Sequence, residues 1–156
     1  MAIALFIYLL CLVVWLGGML FFTIIAAPAV FEVLATVDAG KVVSTIFPRY
    51  YLMGYVAGTI SVILAIYFAV QHGPALWWSL VALALAIALS TSLYAGAGLR
   101  PRINAIRAVA TETNPDPERK AEFDKLHRLS VALNGAVMLL NLLALWGTAT
   151  AVTNRG

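Results

Sequence analysis

IALFIYLLCLVVWLGGMLFFTIIAAPAVF, Ile3 to Phe31, contains no Asp, Glu, Lys or Arg. A membrane-spanning helix needs about 20 mostly apolar residues, so this run is long enough to cross a bilayer. Three more runs obey the same rule. Tyr50 to Val70 and Ala75 to Leu99 are uncharged, and Leu129 to Val152 has Asn134 and Asn141 as its only strongly polar side chains. Composition agrees: of 156 residues 63% are apolar and 11% charged, against roughly 45–50% and about 25% in soluble domains, and the mean hydropathy is +0.95. These values exclude a disordered chain, a disulfide scaffold and an ordinary water-soluble enzyme. The expected fold is all-α, an integral-membrane antiparallel four-helix bundle. It forms one domain over 1–156 with spans at about 3–31, 50–70, 75–99 and 129–152.

Charge sets the expected orientation. Lys41 and Arg49 lie in the 32–49 stretch, and Arg100, Arg102, Arg107, Arg119, Lys120, Lys125 and Arg128 lie between 100 and 128, whereas the other side of the membrane holds Arg155. The positive-inside rule makes both basic stretches cytoplasmic loops and leaves both termini outside. The expected location is a bacterial inner (plasma) membrane. Topology accounts for the net charge of +3, so the bilayer is the expected partner and nucleic acid is not. The N-terminal run lacks the Lys/Arg region of a signal peptide and is too long for one, so it reads as a retained helix. Cys11 is the one cysteine, which excludes an internal disulfide.

The third helix is expected to continue past the membrane, because Ile103, Ile106 and Ala110 repeat at helical spacing, with Pro101 as a bend or restart. Thr113-Asn114-Pro115-Asp116-Pro117 reads as a turn, with Asp116 as N-cap and Pro117 at the first helical position. A helix from Pro117 to Val152 is about 54 Å long at 1.5 Å per residue, and the hydrocarbon core is about 30 Å. The excess is expected to pack on the third helix as a cytoplasmic hairpin over about 100–128.

Small residues recur at helical spacing: Ala84, Ala88, Ser92 and Gly96 on helix three, Gly54, Gly58 and Ser61 on helix two, Gly17 and Gly18 on helix one. Such spacing lets backbones approach closely in lipid, within one chain or between copies in a homo-oligomer. Trp77 and Trp78 suit an interfacial belt.

Chemistry concentrates on helix four. His127, Ser130, Asn134 and Asn141 share one face at i, i+3, i+7 and i+14. Polar groups in a span face the bundle interior or a wet cavity, so they either line a solute path or hydrogen-bond between helices. Arg49, Tyr50, Tyr94 and Arg100 join His127 at the cytoplasmic mouth, as an anion site or as headgroup contacts at about 1 kcal/mol per basic residue. Glu32 is placed to pair with Arg49 or Arg100. His127 is the only metal candidate, and one histidine lacks the ligand count of a metal site. No phosphate loop, zinc motif or nucleophile elbow occurs. No catalytic residue and no cofactor are therefore expected.

Val42-Val43-Ser44-Thr45-Ile46-Phe47-Pro48-Arg49-Tyr50-Tyr51, Arg100-Pro101-Arg102-Ile103-Asn104-Ala105 and Phe123-Asp124-Lys125-Leu126-His127-Arg128-Leu129-Ser130, followed by Asn134, occur in this order. With Trp15, Gly17-Gly18, Pro28 and Phe31 they resemble the transmembrane-protein-205-like family. The resemblance implies a four-helix membrane domain of largely uncharacterised function and directs attention to Pro48, Arg100, Pro101, His127 and Asn134. Three functional readings stand. The first is handling or transport of a small solute or metal, as an oligomer. The second is a membrane haem or redox protein using His127. The third is a non-catalytic membrane subunit or scaffold.

Overall fold

The computed structural model describes residues 1–71, 76–110 and 116–153, the side chains of 108–110 excepted. Four helices are long and apolar enough to cross a membrane: α1 (Ala2–Val33), α2 (Thr36–Gln71), α3 (Leu76–Arg107) and α4 (Pro117–Thr153). They alternate in direction and pack in chain order, α1 on α2, α2 on α3 and α3 on α4, while α1 and α4 touch less than these three neighbouring pairs. One end of the bundle carries the start of α1 and the end of α4 and is called the terminal end. The other carries Lys41, Arg100 and Arg107 and is called the basic end.

The loop expected over 32–49 is not a loop. Leu34 is extended at φ −111° and ψ 148°, and α2 begins two residues later, at Thr36. Asp38 in the first turn of α2 complements the helix dipole and pairs with Lys41 at 2.9 Å. Pro48 lies inside α2 without ending it. Proline lacks the N–H that would bond the carbonyl four residues back, which here is that of Ser44. Arg100 of α3 supplies the replacement, its Nη2 donating to Ser44 O at 3.3 Å. Arg100 therefore does not pair with Glu32, which lies exposed.

This pairing of a proline with an arginine on the next helix is testable. Arg100→Met should lower stability by about 1–2 kcal/mol. In a Pro48→Ala background, where residue 48 again donates to Ser44, the same change should lose most of that effect. Denaturation of the four proteins in detergent measures the coupling, and additivity within about 0.3 kcal/mol would exclude it.

The other two prolines within the bundle are accommodated differently. α1 widens into a π-turn at Phe22–Ala26, where Ala27 N–H bonds Phe22 O, just before Pro28. α3 widens at Tyr94–Leu99, where Arg100 N–H bonds Ala95 O, just before Pro101. The wider turn moves the carbonyl that the proline ring would strike. Pro101 thus neither breaks nor restarts α3, and the helix runs on to Ala110. Its extension packs on the first turns of α4 and buries Ile103 and Ile106. Asp116 caps α4, its Oδ1 accepting from the Glu118 N–H at 3.0 Å. The turn residues 113–115, His72 and Arg155 lie outside the described residues.

At the terminal end, Tyr8 is fully buried. Its ring meets Phe68 and Trp78 edge-on at 6.1 and 5.8 Å, and its hydroxyl lies 2.7 Å from Thr148 Oγ1. This contact joins α1 to α4. Trp78 is buried and Trp77 partly exposed. At mid-height Trp15 of α1 fills the space left by two glycines of α2. A Cβ on Gly58 would lie 2.9 Å from the Trp15 ring, and one on Gly54 would lie 3.0 Å from Trp15 Nε1.

Candidate functional site

In the basic half, α1 and α4 diverge, and a cavity of about 530 Å³ opens between them and α2. That volume is typical of small-molecule sites, roughly 300–1,000 Å³. Its walls are largely apolar: Met19 and Phe22 from α1, Val43 and Phe47 from α2, Val131 and Met138 from α4. Two local features keep the space open. The π-turn of α1 lies along the cavity. On α4, Gly135 lines the wall with no side chain, and nothing lies within 4 Å of where its Cβ would be.

One polar station interrupts the wall. Tyr50 O–H donates to Asn134 Oδ1 at 3.3 Å, and Asn134 Nδ2 donates to Tyr51 Oη at 3.3 Å and to Ser130 O at 2.9 Å. Asn134 therefore ties α4 to two successive tyrosines of α2. Those tyrosines belong to an aromatic collar. Tyr50 meets Phe22 at 5.3 Å and Tyr51 at 5.2 Å, and Tyr51 meets Phe47 at 5.9 Å and Tyr55 at 6.0 Å. Gly96 of α3 backs the collar, since a Cβ there would lie 2.7 Å from the Tyr51 ring.

A second polar station marks the basic end. Arg107 reaches the cavity wall and donates from Nη1 to Gly40 O on α2. Its desolvated guanidinium remains charged, because arginine does not deprotonate in proteins. Across the cavity His127 stacks on Phe123, with centroids 5.9 Å apart and planes at 4°. Arg107 is the formal cation among the described lining residues, which include no carboxylate.

Of the residues expected at a path, His127, Ser130, Asn134 and Tyr50 line the cavity. Arg49 and Tyr94 do not; both are exposed on their helices. Arg100 is turned to Ser44. Asn141 is fully buried in the closed core above the cavity. Its Nδ2 donates to Val137 O of its own helix at 2.9 Å, and its Oδ1 has no partner. A shared helical face does not imply a shared environment, because α4 passes from a gap to a tight interface between Asn134 and Asn141. Among the small residues, Gly54, Gly58, Ser61, Ala88, Ser92 and Gly96 are buried and Ala84 is partly so. Gly18 lies against the Met53 methyl, while Gly17 is exposed with nothing near its Cβ position within the chain.

Arg107, Gly135, Gly40 and Phe123 were not singled out as site residues. Gly135 had a readable signal, a glycine next to Asn134 on the polar face. Arg107 had none, since its role depends on Gly40 more than sixty positions earlier. Among the described residues no group of three or more His, Cys, Asp or Glu side chains is placed to hold a metal ion.

Residues 10–112 match a family model described as a domain of unknown function (DUF4149). That range covers most of α1 and all of α2 and α3, and it ends before α4. No curated protein and no solved structure matches the chain.

Proposed function

The chain belongs to the DUF4149 family, and we propose that this four-span membrane protein binds a small, mainly apolar organic solute in the cavity between α1, α2 and α4. The observation that carries the proposal is the shape of the bundle, closed at the terminal end by Tyr8 and Thr148 and open at the basic end. Phenols, an amide and a guanidinium suit an organic ligand better than a metal ion. The described lining residues all belong to one chain. Passage across the membrane would require the core around Trp15 to open, and the reading is therefore of binding and handling. The positive-inside rule puts the basic end in the cytoplasm. The proposed kinship with transmembrane-protein-205-like proteins is supported by Tyr50, Tyr51, His127 and Asn134, which come from separate motifs and converge on one half of the bundle.

A diazirine-bearing dodecanol, photolysed with the full chain in nanodiscs, should label Met19 and Met138. Gly135→Leu fills space that is open and should cut that labelling by about ten-fold or more while leaving the fold intact. Undiminished labelling in Gly135→Leu would reject the proposal.

A further inference from the structure

We infer, resting on the cavity reading above, that the ligand is a phenol-type amphipath: one flat hydroxylated ring on a hydrocarbon tail, its hydroxyl donating to Asn134 Oδ1. The hydrogen-bond inventory of the station at Asn134 decides the head. Ser130 O is a carbonyl and only accepts, so the Asn134 atom that faces it at 2.9 Å is the amide nitrogen. That nitrogen carries two hydrogens, and both are engaged, one by Ser130 O and one by Tyr51 Oη. The single hydroxyl hydrogen of Tyr50 is engaged by Asn134 Oδ1. What Tyr50 and Asn134 still offer to the cavity they line is acceptor capacity, above all the second lone pair of Oδ1. A hydroxyl satisfies it, and a ketone, ester or ether cannot. The Ser130 hydroxyl, on the same wall, accepts as readily as it donates. All three side chains are neutral, and Asn134 lies within the apolar run Leu129 to Val152. A charged head would lose its hydration on reaching them, at far greater cost than a hydroxyl that gains a bond.

The aromatic collar decides the ring. Phe22, Phe47 and Tyr50 all line the cavity. Their centroids are 5.4 Å apart for Phe22 and Phe47, 5.3 Å for Phe22 and Tyr50, and 6.0 Å for Phe47 and Tyr50. Aromatic surfaces favour an aromatic partner in offset or edge-on contact. Tyr50 belongs both to the collar and to the station, so ring and donor are adjacent in a ligand that meets both. The tail has its own exit. Phe31 of α1 and Val131 of α4 line the cavity and are exposed, at 49% and 59%. They form the two lips of the seam where the helices diverge, and a hydrocarbon chain lies between them without crossing a polar surface.

The full chain in zwitterionic nanodiscs is labelled with the diazirine dodecanol against unlabelled para-octylphenol, para-octylanisole or octylcyclohexanol, compared by mole fraction in the bilayer. The phenol should compete at roughly ten-fold lower mole fraction than the anisole, which keeps the ring and lacks the donor. It should compete at roughly five-fold lower mole fraction than the cyclohexanol, which keeps the donor and lacks the flat ring. Asn134→Leu should erase the preference over the anisole. Asn134 also ties α4 to α2, so a second variant guards against a folding defect. Tyr50→Phe removes the donor that competes for Oδ1 and keeps the ring, and there the preference should persist. Its survival in Asn134→Leu, or its loss in Tyr50→Phe, would overturn the contact with Oδ1. Equal competition by the phenol and either other probe would overturn the phenol class and leave the cavity reading standing. Absence of cavity labelling by the diazirine dodecanol would overturn both.

Discussion

Gly58→Leu is expected to destabilise the bundle by about 3 kcal/mol or more, at the top of the range for overpacked cores. Thermal unfolding in detergent measures it. A Cβ at residue 58 already lies 2.9 Å from two atoms of the Trp15 ring and 3.1 Å from Leu89 Cδ1. Trp15 is 2% exposed and has nowhere to move. In lipid, where no hydrophobic force drives helices together, close backbone packing is the main source of association. Displacing Trp15 would therefore pull α1 from α2 as well. Trp15→Ala alone should cost about 3–5 kcal/mol through the void it leaves. The pair should be much more stable than the sum, because the leucine occupies volume vacated by the indole. Additive losses would show that the two residues do not share that space. Gly17→Leu is the control: its Cβ position is open, and its Tm should not change.

Tyr8→Ala is the second large effect, at about 3–5 kcal/mol, and Tyr8→Phe should cost only about 1 kcal/mol. The difference follows from what each change removes. Alanine deletes a ring packed edge-on against Phe68 and Trp78. Phenylalanine deletes only the hydroxyl, and Thr148 Oγ1 keeps its bond to Ala144 O at 2.7 Å. Equal losses in the two variants would move the stabilisation from ring packing to the Tyr8–Thr148 hydrogen bond.

The four helices were legible because each rests on local apolar content, which needs no knowledge of neighbours. The N-cap at Asp116 and the extension of α3 onto α4 were legible for the same reason. The start of α2 was not. Pro48 and the charges near it argue locally for a loop, and they are overruled by Arg100, which is 52 positions away in the chain and one helix away in space. The site divides in the same manner. Asn134 and His127 could be chosen from their spacing on one helix, but Asn141 could not be rejected that way. The difference between them lies in where α1 stands relative to α4. The cavity itself has no sequence signature, since a gap is made by the divergence of two helices and by a side chain that Gly135 lacks.

Joined at Tyr8 and Thr148 and parted further on, α1 and α4 make a lever with its fulcrum near one face of the membrane. From Tyr8 to Phe31 the arm measures roughly 35 Å at 1.5 Å per residue. A tilt of about 5° around the fulcrum moves the lip at Phe31 by about 3 Å, by the same arithmetic. Bilayer thickness acts on helix tilt. A change in that tilt is therefore smallest beside Tyr8 and Thr148 and greatest at Phe31, on the wall of the cavity.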